Sequence, residues 1–357
     1  MTPGLSIWLD VLRVWATLIV VISHIAYPRF TRGDYIIIRE LNLGSDSVIV
    51  FFVLSGLVIA YAAERDKKLS TYSFNRATRL LSALLPALLL TFMLDQAGKV
   101  IGPQAYTSFY NSTSMTEFML RGLTMSNEWN ILQRIRLGSN GPLWSLSYEA
   151  AYYILFALVF FLTGMRRIAL VLLCGWMVGP RILLLMPAWM MGVCLWNWLA
   201  SGGAQRLSQS RARLFAFGAP LAYIVCQFAN VPDMLADFTA ITFSPFLDRR
   251  LLGFSDEFVW NGVIGGLASI HIMGMARLLM AYKGHHPQIR WWAGATFSIY
   301  VTHYPILHFI DAVIVAETVW RDLLFLVVSV GFGLIFAALF ERPIRRFRAV
   351  IASRIPR

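Results

Sequence analysis

The chain has 357 residues, of which 58% are hydrophobic and 14% are charged, and its mean hydropathy is +0.63. Soluble domains usually carry about 25% charged residues, so this composition excludes an ordinary soluble protein and indicates a polytopic membrane domain. The formal net charge is +12, but the basic residues are scattered over short loops with no binding module, so a nucleic-acid partner is not expected.

Apolar segments recur along the whole chain and predict an all-α integral membrane protein with about ten transmembrane helices. In chain order, the predicted spans are 6–28, 44–63, 79–97, 142–164, 168–180, 186–200, 214–230, 258–280, 291–314 and 322–341. The fifth and sixth are short and are separated by Gly179-Pro180-Arg181. They are therefore either tilted spans or a hairpin that does not cross fully.

The distribution of basic residues predicts the orientation of the chain. Lysines and arginines are concentrated in the loops that follow the even-numbered spans and in the tail, whereas most acidic residues lie in the other loops. Both termini are therefore predicted to be cytoplasmic. The positive inner surface would also attract a polyanionic cytosolic ligand.

The first apolar segment contains three ionisable side chains, Asp10, Arg13 and His24. Arg13 and His24 are separated by about three helical turns, so they share one face of a helix roughly 16 Å apart. Asp10, one turn before Arg13, lies on the same stripe. Ionisable groups at this depth usually mark a functional site, so we expect the imidazole of His24 to share one cavity with the guanidinium of Arg13. The alternative is an Asp–Arg pair that anchors the helix, with an incidental histidine.

Further motifs follow along the chain. In order they are Phe51-Phe-Val-Leu-Ser-Gly-Leu-Val-Ile59, Phe74-Asn-Arg-Ala-Thr-Arg79, Leu143-Trp-Ser-Leu-Ser-Tyr-Glu149, Thr296-Phe-Ser-Ile-Tyr-Val-Thr-His303-Tyr-Pro, and Glu341-Arg-Pro343. Together with the Arg13-to-His24 pattern, this series resembles the acyltransferase family 3 membrane proteins. The chain departs from the family pattern at two positions, with Val14 in place of a glycine and Ile49 in place of an aspartate. These departures bear on the identity of the acceptor and on local packing.

The resemblance extends over nearly the whole chain and implies a bacterial inner-membrane enzyme. Such an enzyme moves an acyl group, most often acetyl, from cytosolic acyl-coenzyme A to a hydroxyl of a glycan, glycolipid or similar acceptor. It implies one transmembrane acyltransferase domain over 1–345, followed by a short basic cytoplasmic tail over 346–357. We expect no appended extracytoplasmic domain, so the chain either finishes the transfer itself or needs a separate extracytoplasmic partner enzyme.

Three arginines and one histidine carry the predicted chemistry. His24 is the predicted general base, because imidazole titrates near neutral pH. Arg13 is deeper, nearer the cytosol, and is predicted to assist catalysis and to bind the acyl donor. Arg76 and Arg79 are neighbours on one helix face at the cytoplasmic side, and paired guanidinium groups suit phosphate recognition. For this pair, anchoring by the positive-inside rule is the alternative.

Glu149 is the third predicted catalytic residue, since a carboxylate within a span is costly without a partner. It would either hold His24 in one tautomer or pair with an arginine. Ser55-Gly56 is expected to allow two helices to approach closely. Pro305 is expected to kink the helix that contains it. His303 either lines the acceptor path or is bonded within the core. The predicted supporting residues are Asp10, Ser55, Trp144, Ser145, Ser298, Tyr300 and His303.

No permanently bound cofactor and no metal are expected, with acyl-coenzyme A acting as co-substrate. The three cysteines lie in apolar segments without a CxxC pairing, and the adjacent His285 and His286 cannot fill a metal site alone. Two other functions remain open at this stage. Intramembrane charges also build the relays of transporters and flippases, and the chain could be an inactive relative that only binds glycan machinery.

Overall fold

The computed structural model describes residues 1–107, 113–243, 252–316, 318–344 and 348, and within these ranges the regular structure is entirely helical. Nine long helices carry the fold. They are α1 (Pro3–Ile25), α2 (Leu43–Asp66), α3 (Leu69–Ile101), α4 (Trp144–Phe161), α5 (Gly164–Ala200), α6 (Gln209–Phe228), α7 (Phe258–Leu278), α8 (Thr296–Val313) and α9 (Val319–Phe336). The predicted tail over 346–357 lies outside the described residues, except for Arg348.

Short helices connect or extend these elements. The α-helical ones are Pro28–Thr31, Ile36–Glu40, Met115–Leu123, Gly203–Arg206, Val231–Phe243 and Pro287–Ala293; single 3-10 turns cover Pro103–Tyr106, Gly141–Leu143 and Gly253–Ser255. One turn of wider π-helix, Ala337–Glu341, prolongs α9.

All ten predicted spans fall on these long helices, which confirms an all-α polytopic membrane protein. In the described residues, seven helices are long and apolar enough to cross a membrane unaided. The bent pair formed by Gln209–Phe228 and Val231–Phe243, with 68° between the two parts, raises that number to eight. The fifth and sixth predicted spans are consecutive parts of α5.

Helix α5 bends at Gly179, whose φ of 79° lies in the left-handed region. Pro180 follows, so a regular helical hydrogen-bond ladder cannot continue through this point. The carbonyls of Met177 and Val178 instead accept the backbone N–H groups of Ile131 and Asn130, both at 3.2 Å. Irregular backbone within a membrane domain is tolerated where protein groups satisfy it in this way.

Helices α2 and α5 approach each other closely at two glycines. A methyl group on Gly56 would collide with the carbonyl of Trp189, and one on Gly192 would collide with the carbonyl of Val53. Ser55 Oγ accepts the indole N–H of Trp189 at 3.2 Å across the same contact. The predicted role of Ser55-Gly56 in close helix packing is therefore confirmed.

Helix α8 is largely buried, carries several buried polar side chains and lies between α1, α3 and α9. Pro305 within it has no N–H, so the carbonyl of Val301, four residues earlier, loses its helical partner. Asn140 Nδ2 donates to that carbonyl at 2.8 Å. The proline thus ties the loop before α4 to the centre of the domain, and α8 brings Ser298, Tyr300 and His303 into the interior.

Candidate active site

Two cavities lie one after the other along the interior of the domain. The first, the His24 cavity, has a volume of about 350 Å³, and its wall includes His24, Tyr27, Arg136, Trp144 and Tyr304. The second, the arginine cavity, has a volume of about 430 Å³ and is lined by polar and apolar side chains. Its polar wall comprises Arg13, Ser55, Arg65, Arg76, Arg79, Ser145, Glu149, Tyr153, Thr296, Tyr300 and Arg348.

His24 and His303 form a hydrogen-bonded pair at the wall of the His24 cavity. Nδ1 of His24 lies 2.9 Å from Nε2 of His303, and the ring centres are 5.0 Å apart. His303 is fully buried. Of the two alternatives for His303, the structure therefore favours a buried partner of His24.

The hydrogen bonds of His303 fix the proton positions in the neutral pair. Its Nδ1 lies 2.8 Å from the carbonyl oxygen of Tyr300 and 3.1 Å from that of Ile299. A carbonyl oxygen only accepts, so Nδ1 of His303 carries the proton and its Nε2 is the acceptor. His24 must then donate from Nδ1. The unshared electron pair of His24 therefore resides on Nε2, which is the form a general base requires.

A buried carboxylate closes the His24 cavity on the side of α5. Glu128, only 3% exposed, pairs with Arg134 at 3.0 Å and with Arg181 at 3.2 Å. Burial raises the pKa of Glu128, and the two guanidinium groups oppose that rise. Arg181 reaches this point because α5 bends just before it, so the kink at Gly179 shapes the cavity wall.

In the arginine cavity, most cations already have a partner. Arg13 pairs with Asp10 at 3.2 Å, which confirms that the two share a stripe of α1, and Arg79 pairs with Glu341 at 2.8 Å. Within the described residues, Arg76 has no ion-pair partner although it lines the cavity. Arg76 is therefore the guanidinium best placed to take an anionic ligand.

Glu341, from the closing Glu-Arg-Pro motif, has a structural role. Its Oε2 accepts the N–H and the hydroxyl of Ser298 at 3.1 and 2.7 Å, while Oε1 faces Arg79. The carboxylate thus joins the ends of α3, α8 and α9. Arg79 therefore lines the arginine cavity while it is held by a carboxylate, and its predicted role in donor binding stays a prediction.

Glu149 lies away from the histidine pair, in the arginine cavity. Its Oε1 accepts hydrogen bonds from Ser55 Oγ and Tyr153 Oη, both at 2.5 Å. Neither predicted arrangement of Glu149 is present among the described residues, because His24 has His303 as its partner and no described arginine forms an ion pair with Glu149. The physical reason is position: five residues of helix, roughly 7.5 Å of rise, separate Glu149 from Trp144 at the His24 cavity.

A layer of three residues, the dividing layer, separates the two cavities: Pro142, Ser145 and Tyr300. Tyr300 Oη donates to the carbonyl of Pro142 at 2.8 Å and lies 2.6 Å from Ser145 Oγ. Ser145 Oγ also lies 3.3 Å from the carbonyl of Pro142, so either hydroxyl can donate to the other. The backbone carbonyl of Tyr300 also holds His303, so one residue connects this layer to the histidine pair.

The structure corrects one expectation about the first helix. Arg13 and His24 were expected to line one cavity, but Arg13 lines the arginine cavity and His24 lines the other. The helical spacing on α1 is as predicted. The division arises from α4 and α8, whose side chains form the dividing layer between the two ends of that stripe.

Sequence reasoning missed two features of the site. The pairing of His303 with His24 joins residues 279 positions apart, and the only signal was that both histidines fall in motifs. Arg348 lines the arginine cavity and donates to Thr78 Oγ1 at 2.9 Å and to the carbonyl of Asn75 at 2.8 Å. Nothing in a short basic tail distinguishes this arginine from its neighbours. Trp144 stacks on Phe254 with 4.2 Å between the ring centres, at the wall of the His24 cavity.

Comparison with known proteins gives the family. Over 150 residues, 41% of this chain and 37% of the relative, the chain is 34% identical to a protein named acyltransferase MdmB from Streptomyces mycarofaciens. Over 149 residues, 41% of this chain and 43% of the relative, it is 28% identical to a protein named O-acetyl transferase from Shigella phage Sf6. The matched stretch spans about two fifths of either relative. No solved structure matches this chain.

The family model described as an acyltransferase domain matches residues 6–342. That range contains the histidine pair, the dividing layer and every long helix except for the first three residues of α1, and Arg348 is the one residue of the two cavities beyond it. On this match over nearly its whole length, the chain belongs to acyltransferase family 3.

Proposed function

We propose that the protein is a bacterial inner-membrane O-acyltransferase. It takes an acyl group, in the first instance acetyl, from cytosolic acyl-coenzyme A and transfers it to a hydroxyl of a glycan, a glycolipid or a similar acceptor. The donor enters the arginine cavity and the acceptor enters the His24 cavity. Family membership and the names of the two relatives support acyl transfer, and the donor and acceptor are inferred from the chemistry of the cavities.

The observation that carries this proposal is the tautomer of the histidine pair. His303 is fixed as an acceptor toward His24 by its own bond to the carbonyl of Tyr300. His24 consequently offers Nε2 as a base at the wall of a cavity. Such a base raises the rate by a factor of about 10²–10⁴ when it is held in position.

The reaction follows from these positions. Nε2 of His24 takes the proton of the acceptor hydroxyl as its oxygen attacks the thioester carbonyl. The imidazolium formed on His24 is stabilised by the hydrogen bond from its Nδ1–H to His303. The tetrahedral intermediate collapses, the carbon–sulfur bond breaks, and the sulfur takes the proton from Nε2 of His24 to leave as coenzyme A. Because the dividing layer lies between the two cavities, the acyl group crosses it either on coenzyme A or on an enzyme nucleophile.

Arginines suit the donor because coenzyme A carries several phosphates and guanidinium groups bind phosphate in a forked geometry. Arg76 and Arg348 supply positive charge without a carboxylate partner among the described residues, while Arg13 and Arg79 are held in place by Asp10 and Glu341. This cavity is on the side that the basic loops predict to be cytoplasmic.

The decisive experiment uses purified protein in nanodiscs with acetyl-labelled acetyl-coenzyme A. Wild type should release or transfer the labelled acetyl group, and His24→Ala should lose turnover by at least about a hundredfold while still binding coenzyme A. His285→Ala, in a loop outside both cavities, is the matched control. Undiminished turnover in His24→Ala would refute the proposed base. Substrate uptake into liposomes without acyl turnover would favour a transporter instead.

A further inference from the structure

One segment of the chain forms most of the wall of the His24 cavity. This wall segment covers 126–142, between the short helix Met115–Leu123 and α4. The buried guanidinium of Arg121 donates to the carbonyls of Ser126 and Gln133, at 3.0 and 2.8 Å. A side chain from the preceding helix thus holds the backbone of the wall segment in place, so the groups that the segment presents to the cavity have fixed positions.

Arg136 lies on the wall segment, beside the dividing layer. A methyl group on Gly141 would lie 2.6 Å from Nη2 of Arg136 and 3.0 Å from its guanidinium carbon, so the guanidinium packs directly against the bare backbone of Gly141. The next residue, Pro142, belongs to the dividing layer, and all three residues line the His24 cavity. The guanidinium of Arg136 is therefore beside the place where, in the proposed reaction, the acyl group enters the His24 cavity.

The ring of Tyr304 is close to both this guanidinium and the proposed base. Its centre is 6.0 Å from the guanidinium carbon of Arg136 and 4.8 Å from the centre of the His24 ring, which it meets edge-on. His24, Tyr304 and Arg136 all line the cavity. A base and a cation therefore share one cavity and one aromatic neighbour.

Arg136 keeps its charge on the cavity wall. Burial lowers its pKa, the neighbouring Tyr27 and Asp95 oppose that shift, and an arginine remains protonated at neutral pH. Asp95 belongs to α3 and acts on Arg136 from outside the cavity, whereas Arg134, a second arginine of the wall, pairs with Glu128 in the wall itself at 3.0 Å. A guanidinium carries five N–H donors, so Arg136 can keep its present partners and also hold a ligand in the cavity.

Acyl transfer needs a donor of this kind. When the acceptor oxygen attacks, an electron pair of the acyl carbonyl moves onto the carbonyl oxygen, which becomes an oxyanion. Nε2 of His24 is occupied by the proton of the acceptor, so the oxyanion needs a separate donor. A preorganised donor aimed at this oxygen raises kcat by a factor of about 10²–10³.

We propose that Arg136 is a further catalytic residue, whose guanidinium donates hydrogen bonds to the oxyanion of the tetrahedral intermediate. The inference rests on the proposed function and adds to its site the group that stabilises charge. Arg136 exchanges no proton. The electron pair returns from the oxyanion to re-form the carbonyl as the bond between the acyl carbon and its leaving group breaks, whether that group is coenzyme A or an enzyme nucleophile.

The first test is the kinetic effect of removing the charge. Purified full-length protein in nanodiscs is supplied with labelled acetyl-coenzyme A, with water as the acceptor probe, and the release of acetate is measured. Arg136→Gln should lower kcat about a hundredfold or more and change the KM for acetyl-coenzyme A less than about twofold, because the interaction forms only in the transition state. Arg136→Lys keeps a charge without the planar fork and should recover part of the rate. Arg32→Gln removes an exposed arginine that pairs with Asp34 and is the matched control.

The second test needs no turnover. Trifluoroacetonyl-coenzyme A carries a fluorinated ketone that hydrates to a tetrahedral diol, whereas acetonyl-coenzyme A keeps a planar ketone. Wild type should bind the fluorinated analogue at least about tenfold more tightly than the planar one. Arg136→Gln should lose that preference and keep the wild-type affinity for acetonyl-coenzyme A.

Two results would overturn the proposal. An undiminished kcat in Arg136→Gln, beside a wild type that releases acetate, would remove Arg136 from the reaction and leave the proposed function intact. An equal loss of affinity for both analogues in Arg136→Gln would show that Arg136 supports the fold or the bound donor and does not recognise the tetrahedral state. A wild type that binds neither analogue nor coenzyme A would instead refute the proposed function.

Discussion

His24 and His303 come from the first and the eighth long helix, and their ring nitrogens meet at 2.9 Å. His303 is held in turn by the carbonyls of Ile299 and Tyr300 in its own helix. The pair is asymmetric: one histidine is fully buried and anchored to backbone, and the other reaches a cavity. That asymmetry is the reason for proposing His24 as the base and His303 as the residue that positions it.

Substitution of His303 tests this assignment. His303→Ala removes the acceptor for the Nδ1–H of His24 and should lower kcat by about tenfold to a hundredfold. His303→Gln, whose side-chain oxygen can still accept, should recover part of the rate. The pH–rate profile is the discriminating measurement, because loss of the partner should move its acid limb. A stability change with an unmoved acid limb would mean that His303 only fills the core.

Substitution of Glu149 separates the two cavities. Glu149→Gln keeps an acceptor for Ser55 or Tyr153 but removes a negative charge from the arginine cavity. The acid limb of the pH–rate profile should stay in place, since Glu149 does not contact the histidine pair. The KM for acyl-coenzyme A should fall on the order of twofold to fivefold, as repulsion of the donor phosphates is removed. A displaced acid limb would restore the role in orienting His24 that the sequence first indicated.

Arg348 is predicted to bind the donor although it lies beyond the matched family domain. Arg348→Gln and Arg76→Gln should each raise the KM for acyl-coenzyme A about tenfold through loss of a charged contact with phosphate. Arg167→Gln removes the same charge from an exposed position and serves as the control. Equal KM values for all three variants would mean that Arg76 and Arg348 do not bind the donor and serve only as cytoplasmic anchors of the chain.

The contact between α2 and α5 should be intolerant of a single methyl group. Gly56→Ala and Gly192→Ala each place Cβ against backbone of the other helix, which should cost about 1–3 kcal/mol of stability. Gly331→Ala, in α9 with open space around it, is the control and should be neutral or slightly stabilising. Melting temperatures in one detergent would give the comparison, and similar values for Gly56→Ala and Gly331→Ala would contradict the close packing.

Much of the architecture was predictable because it depends on local pattern. Apolar length predicted the position of each span, and a helical spacing placed Asp10 and Arg13 on one stripe. Pro305 leaves the carbonyl of Val301 without its helical partner, and Asn140 supplies a donor for it. Ser55-Gly56 predicted a tight helix contact, and Trp189 of α5 provides the other side.

By itself, the sequence determined the class of protein, the helices and the family resemblance, and it named the candidate site residues, since each follows from composition, periodicity or a short motif. Only the tertiary structure decided which of those residues meet. It pairs His24 with His303, places Glu149 in the arginine cavity, and places Tyr300 and Ser145 between the two cavities. The physical reason is that the packing of distant helices sets these contacts, and hydrophobic burial specifies that packing through many side chains at once.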